Sequence, residues 1–347
     1  MIHFSRKTRK FNMQASIHIG EIEKNPSQSV RILGIWVDPK LKWTAHWKQL
    51  QEKASKQIGA LTRVTASTWG ASFIRARQVY TAVVRPALTY GAAIWHTPTK
   101  NQSRTAQGVA AKLRTIQNKC LRTVTGAYRA TPISTLEVEA YVPPIDLFLD
   151  SRLAAFQARQ AGSKVEQFIE NSCKQIQARI RNRRGRKAAQ KRTVGEYKKN
   201  WADEREKRIQ ERQPRQVRSE KERVLAAWKV RWQEKEAILQ EQGREDTWDQ
   251  VKRPPDPAIL QLHTGLRKAE STVLVHLRTG HIRLCYFLKK ARVPGYESDQ
   301  CRCGTGKETP RHVLLDCPDE EEYREFLRES QGRRLDFKTL LDTNKEA

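Results

Sequence analysis

Apolar positions recur at spacings of three and four along most of this chain, and at a spacing of two only near its start. The period-two part is Ser16–Gly20 and Ser29–Lys40, where Val30, Ile32, Ile35 and Val37 make a β-rich run around Gly34. The turn signal Asn25-Pro26 separates the two stretches, so they predict one short hairpin, with a bulge or a close backbone approach at Gly34. An isolated hairpin is marginal in water, and something should pack on it. The expectation is that the chain begins within a domain.

Helical periodicity starts at Thr44. Trp47, Leu50, Ala54, Ile58, Leu61 and Val64 form one stripe, and Lys48, Lys53, Lys56 and Arg63 lie on the other face. A second helix is predicted over Ala71–Leu88, bent or ended by Pro86. A third covers about Ala106–Thr125, with Gly126 placed as a C-terminal cap. A short helix follows Thr131-Pro132, Pro143-Pro144 breaks it, and Ile145–Ala161 continues with Leu149, Leu153 and Phe156 aligned. Residues 44–161 thus read as an all-helical bundle.

Residues 162–256 differ. Lys174–Arg192 holds nine Lys and Arg and no acid, which leaves little to build a core. From Glu196 to Glu245 the charges alternate in sign around a thin stripe of Val224, Leu225, Trp228, Trp232 and Leu239. The segment reads equally as a solvated helical or disordered linker and as a nucleic-acid arm. Arg253-Pro-Pro-Asp-Pro257 marks a stiff boundary. One helix is then predicted through Ile259, Leu262, Leu266, Ala269, Val273 and Leu277, ended by Gly280. A last helix is predicted after Pro318, with Tyr323 and Phe326 inward. The expected organisation is a hairpin at 1–43, a bundle at 44–161, a linker at 162–256, a small module at 257–335 and a tail at 336–347. The fold class is mainly α.

The module carries the clearest chemistry. Cys301, Cys303, His312 and Cys317 form the pattern C-x-C-x8-H-x4-C. Three thiolates and an imidazole are a closed tetrahedral zinc set, which is structural because it leaves no open position for catalysis. Gly304 and Gly306 suit a tight turn after the first pair. The five-residue step from His312 to Cys317 suits a short helix. Three buried thiols beside an ordinary histidine would be the plain alternative, but Arg302, Lys307, Glu308 and Arg311 are not core residues. Cys120, Cys173 and Cys285 have no ligand set nearby and read as core or surface thiols.

Charge changes the picture of partners. The 66 Lys and Arg exceed the 38 Asp and Glu by 28. A polyanion is implied, and RNA or DNA fits better than a membrane surface because no apolar run approaches spanning length. Candidate phosphate contacts are Lys48, Lys53 and Lys56, with Arg181, Arg183, Arg184, Arg186, Lys187, Lys191 and Arg192 in the basic run. The cysteine usage and the start of the chain point to an intracellular protein, and the Arg181–Arg192 run suits nuclear import.

Several stretches in order carry a resemblance. Met1–Lys7 (MIHFSRK), Ser29–Lys40 (SVRILGIWVDPK), Ala82–Trp95 (AVVRPALTYGAAIW), Gln117–Tyr128 (QNKCLRTVTGAY), Thr131–Pro144 (TPISTLEVEAYVPP), Leu277–Leu284 (LRTGHIRL) and the Cys/His cluster resemble the C-terminal part of fungal non-LTR (LINE-type) retrotransposon reverse transcriptases. The match touches most of the chain outside about 162–256. The resemblance implies that 1–43 corresponds to the edge of the polymerase palm with its primer grip, where Arg31 and Leu33–Trp36 would lie near a primer end. It implies a thumb in 44–161 that grips template–primer duplex, and a zinc knuckle at the end. It also implies a palm in cis as a partner. The polymerase motif of that family holds an Asp-Asp pair for two-metal phosphoryl transfer, and no Asp-Asp occurs in this sequence. No catalytic residue is therefore assigned. The expectation is a truncated, non-catalytic, nucleic-acid-binding fragment. The alternatives are the back half of an active RNA-directed DNA polymerase and, last, a scaffold using 196–245 as a coiled-coil helix.

Overall fold

The computed structural model describes residues 1–4, 12–96, 108–160, most of 162–175, 220–241, 251, 253–331 and 336–342. The chain divides into two compact units, one of residues 1–150 with 225–347 and one of residues 151–224. The first unit holds the hairpins, the main core and the Cys/His cluster. The second contains the later turns of the helix Ile145–Gln160, and the basic run Arg181–Arg192 within it lies outside the described residues.

The period-two segments form two hairpins rather than one. Strands β1 (Ile17–Ile19) and β2 (Ile22–Lys24) pair antiparallel, as do β3 (Val30–Ile32) and β4 (Ile35–Val37). Each ladder pairs isoleucines across a two-residue connection: Ile19 with Ile22, and Ile32 with Ile35. In the second turn both central residues are left-handed, Leu33 at φ 47° and Gly34 at φ 85°. That is the primed geometry whose twist matches the strands. Gly34 is therefore a turn residue, not a bulge, but the close approach is there. A Cβ on it would lie 3.2 Å from Cε1 of Tyr90, whose hydroxyl donates to the Leu33 carbonyl at 3.0 Å. The second hairpin is anchored by Ile35, which is buried against Gly91.

The turn into α1 (Thr44–Val64) is organised by Asp38. Its carboxylate accepts from the backbone N–H groups of Lys40, Lys42 and Trp43, at 2.7 to 3.1 Å. The second predicted helix is continuous but not uniform. It runs as α2 (Phe73–Val79), a π-helical turn (Tyr80–Val84) and α3 (Arg85–Leu88). The Arg85 N–H reaches back five residues to the Tyr80 carbonyl, directly before Pro86. Pro86 has no N–H and crowds the carbonyl four residues before it. A widened turn at this place lets the helix pass the proline. Ala92–Trp95 adds one turn, α4.

α5 (Gly108–Thr125), α6 (Ile133–Glu139) and α7 (Ile145–Gln160) follow as the periodicity predicts. Phe156 departs from its predicted stripe and is exposed. Phe73, Leu61, Leu113, Leu121, Leu136 and Leu149 are at most 1% exposed and form the main core. One polar network is sealed inside it. The Tyr80 hydroxyl donates to Gln117 Oε1 at 2.8 Å, and the Gln117 amide donates to the Pro143 carbonyl at 3.2 Å and to Glu137 at 3.3 Å. Burial raises the Glu137 carboxyl to about 7.

α8 (Glu220–Glu241) is the described part of the alternating-charge stretch at 196–245. Its Trp228 is buried with Val138, Ile259 and Leu262. The helix predicted from Ile259 to Leu277 is in fact two pieces. A 3-10 segment (Pro257–His263) ends before Gly265, which is left-handed at φ 78°, and α9 (Lys268–Thr279) begins beyond it. α9 lies across the end of α5. Lys268 donates to the Thr123 and Val124 carbonyls, and His276 Nε2 is 3.1 Å from the Gly126 carbonyl. A Cβ on Gly126, at φ 72°, would meet Thr272 Oγ1 at 2.5 Å. Lys268, Thr272 and His276 are spaced by four and so share one helix face. α10 (Cys285–Lys290), α11 (Glu321–Gln331) and α12 (Phe337–Asp342) complete the unit. α12 falls in the stretch read as a tail, and it buries Phe337 and Leu341 beside Val251.

Candidate metal centre and basic surface

The four sequence-predicted ligands come together. The first pair sits on a tight loop. Gln300 bridges Lys307, the Cys301 N–H donates to the Gly306 carbonyl at 2.8 Å, and the Gly304 N–H to the Cys301 carbonyl at 3.0 Å. Gly304 is left-handed at φ 75°. A Cβ on Gly306 would lie 3.2 Å from His312 Nδ1, so the bare backbone there leaves room for the imidazole. The second pair sits on a π-helical turn (His312–Asp316), closed by the Cys317 N–H on the His312 carbonyl at 2.7 Å. At about 100° per residue, five residues of α-helix would set the two side chains about 140° apart. The wider i→i+5 turn brings them nearer to one side.

The ligand atoms of Cys301, Cys303, His312 and Cys317 all lie within 4.8 Å of one another. Cys301 Sγ is 3.8 Å from Cys317 Sγ, and Cys303 Sγ is 3.2 Å from His312 Nε2. Two thiolates on a tetrahedral zinc, each with a bond of about 2.3 Å, are about 3.8 Å apart. The donor set and its spacing therefore fit a metal ion with four closed positions. Hydrogen bonds from the Thr305 hydroxyl and backbone N–H, with a further contribution from His312, hold the Cys303 thiol down to about 6. Burial pushes the Cys301 thiol up to about 11.

The surroundings hold these turns in place. Glu308 accepts from the Cys285 N–H at 2.6 Å, which caps α10 from the ligand loop. Asp299 pairs with Lys289 at 3.0 Å and with Lys307 at 3.4 Å. From α11, the buried Arg324 donates to the Cys317 carbonyl and pairs with Glu321. Arg324 takes the inward face that sequence reasoning gave to Tyr323 and Phe326. Those two rings are 70% and 68% exposed. The carbonyls at the end of the π turn need donors, and a guanidinium supplies them where an aromatic ring cannot.

Sequence reasoning also missed Arg278, which lies in a basic-looking stretch and carries no periodic signal. Its side chain is fully buried. It pairs with Glu139 of α6 at 3.0 Å and with Asp342 of α12 at 3.0 Å, and it donates to the Leu341 carbonyl. Asp342 also receives Arg253 at 2.9 Å.

The basic candidates are placed more loosely. Lys48, Lys53 and Lys56 are exposed on α1, and Arg31 is exposed on β3. Lys48 and Lys56 flank one shallow depression together with Glu52, so a carboxylate interrupts the lysine face. Arg181, Arg183, Arg184, Arg186, Lys187, Lys191 and Arg192 lie outside the described residues, as does Cys173. Cys120 is buried in the core, which pushes its thiol up to about 12. Cys285 is half-buried, and Glu308 pushes its thiol up. No helix among the described residues is long and apolar enough to cross a membrane.

A mainly helical chain with a Cys/His cluster and a large cationic excess defines the class. Comparisons with known proteins narrow it. Over 122 residues, 35% of this chain, it is 31% identical to a 115 kDa protein in the type-1 retrotransposable element R1DM of Drosophila melanogaster, and covers 11% of that protein. Over 144 residues, 42% of this chain, it is 27% identical to the Retrovirus-related Pol polyprotein from type-1 retrotransposable element R1 4 of Nasonia vitripennis, and covers 35% of that protein. The chain thus spans a minor part of either relative. Comparison with family profiles and with solved structures gives no match. The similarities support a retrotransposon-related protein.

Proposed function

We propose that this chain is a nucleic-acid-binding part of a non-LTR retrotransposon reverse transcriptase polyprotein, with a structural zinc module near its C-terminal end. The similarity to two retrotransposable-element proteins carries this reading. In it, the polymerase carboxylates belong to a palm in another part of the polyprotein, and this chain contributes grip rather than chemistry. The helices of 44–161 act as a thumb on template–primer duplex. Lys48, Lys53 and Lys56 meet phosphates in a sequence-independent, salt-dependent way, and Arg31 lies toward a primer end. The basic run at 181–192 adds affinity and suits a nuclear location. The residues that would hold zinc are Cys301, Cys303, His312 and Cys317. The ion would supply folding energy and fix the ligand loop against α10 and α11.

The purified full chain tests both halves. Elemental analysis is expected to find one zinc per chain. Binding to labelled RNA and DNA is expected to weaken steeply with salt. No zinc would remove the module reading, and salt-independent or absent binding would remove the nucleic-acid reading. The name Pol polyprotein on one relative favours a second reading, the back half of a working polymerase. An open frame upstream through an aromatic-x-Asp-Asp motif would support it, and a stop codon would exclude it.

A further inference from the structure

Away from the Cys/His cluster, a groove of about 760 Å³ opens between two loops of the first unit. One wall is the turn between α1 and α2. It presents Trp69, whose side chain is 56% exposed. The turn is hydrogen-bonded. The Ala66 N–H donates to the Trp69 carbonyl at 3.0 Å, the Ala71 N–H donates to the Val64 carbonyl at 2.9 Å, and Thr65 bridges Gly70. A Cβ on Gly70, at φ 92°, would sit 2.3 Å from the Val64 carbonyl oxygen, so only glycine fits.

The opposite wall is the loop from Thr264 to Lys268, where Gly265 breaks the helix. Arg75 and Arg267 line the groove and no carboxylate does. Arg267 shares its charge with Glu270 at 2.5 Å, while Arg75 makes no ion pair among the described residues. His263 also lines the groove. It is 1% exposed and its ring stacks on Phe73 at 3.8 Å. Neither of its ring nitrogens has a partner among the described residues.

An exposed indole on a hydrogen-bonded turn, beside guanidinium groups, matches one chemistry. An aromatic face stacks on an unpaired base and the cations meet the phosphate next to it. A duplex hides its base faces, so it can use the exposed lysines of α1 but not this indole. We propose that the Trp69–Arg75–Arg267 groove binds an unpaired nucleotide of a single strand. This inference rests on the nucleic-acid reading above and gives that reading a second, separate site.

The test uses the full chain with a labelled oligothymidine of about 12 nucleotides, within the usual site sizes for single strands, and a duplex of the same length. Trp69→Ala is expected to weaken single-strand binding by roughly 5- to 100-fold, the worth of one stacked base, and to change duplex binding less than about twofold. Trp69→Phe should recover part of the loss, and Arg75→Gln should lower the salt slope for the single strand by about one. Should Trp69→Ala disturb the fold, Trp69→Phe and Arg75→Gln decide the matter, since both keep the shape of the wall. Unchanged single-strand affinity in these variants, with salt-dependent binding intact, overturns the groove and leaves the broader reading standing. A chain that binds neither single strand nor duplex overturns both.

Discussion

Two regions of the first unit are held together by different physics. Between residues 44 and 150, helices bury Leu61, Phe73, Leu113, Leu121 and Leu136 almost completely, and the polar atoms of Tyr80 and Gln117 satisfy each other inside. Each such side chain contributes about 1.5–3 kcal/mol by leaving water. The stretch from Asp299 to Arg324 has little of this. Its π turn offers only the partly buried Leu314 and Leu315 to a small cluster around Phe337. What it has instead is four converging ligand atoms, a glycine-shaped loop and a buried arginine on the backbone carbonyls. A short, charged segment can be ordered where one ion replaces the missing apolar area.

The largest effect expected from this contrast is on metal removal. Chelation, or Cys317→Ser, should unfold the ligand loop while leaving the main helical core. Structural zinc in small modules contributes about 10–16 kcal/mol of folding energy. Hydrogen exchange read by mass spectrometry should show protection lost over 299–324 and kept over α1, α2 and α5. Loss of protection in both regions would mean that the two are one cooperative body, and no loss in either would mean that the ligands hold nothing.

The next effect concerns the buried ion pair. Arg278→Ala should leave Glu139 buried without a counter-charge and cost about 3–5 kcal/mol, read as a lower denaturation midpoint. A double change of Arg278 and Glu139 to Met and Leu should restore much of the loss. If the double variant is as unstable as Arg278→Ala, the packing of the guanidinium and not its charge is what α6, α9 and α12 need.

A third effect, on the apolar side of the comparison, is pH dependence. Burial lowers His263 to about 3. Its neutral form is favoured in the fold, so its stability is full above pH 6.5 and is lost as pH falls toward 3, about 2 kcal/mol by pH 5. Glu137, raised to about 7, acts in the opposite sense: its stability is full below pH 4.5 and lost as pH rises to about 7. The two oppose each other between pH 4.5 and 6.5. His263→Phe should leave a stability that falls steadily with rising pH over that window, and Glu137→Gln one that rises. Denaturant titrations at several pH values would show it, and identical slopes in both variants would contradict the burial of either group.

The smallest effect is on the exposed lysines. Changing Lys48, Lys53 and Lys56 to Gln should leave stability within about 0.5 kcal/mol, as for surface positions generally. It should lower the salt slope for duplex binding by about 0.9 for each phosphate that is no longer neutralised. An unchanged slope would remove α1 from the phosphate surface.

The sequence by itself determined the helical class, the bounds of α1, α5, α6 and α7 to within a residue or two, and the identity of the four metal-ligand candidates. These are local matters. Period 3.6 is set by which face meets the core, and a C-x-C with a distant H-x4-C is set by the geometry of four ligands. Tertiary structure decided the rest. Only the fold separates two hairpins at Gly20 and Leu33-Gly34, because pairing partners are chosen in space. Only the fold turns Arg278 and Arg324, ordinary cations by composition, into buried groups, since their partners are Glu139, Asp342 and the Cys317 carbonyl. Only the fold leaves Tyr323 and Phe326 in water. An apolar stripe shows that a face exists, but the donors and acceptors waiting on the neighbouring element decide which side chain is drawn inside.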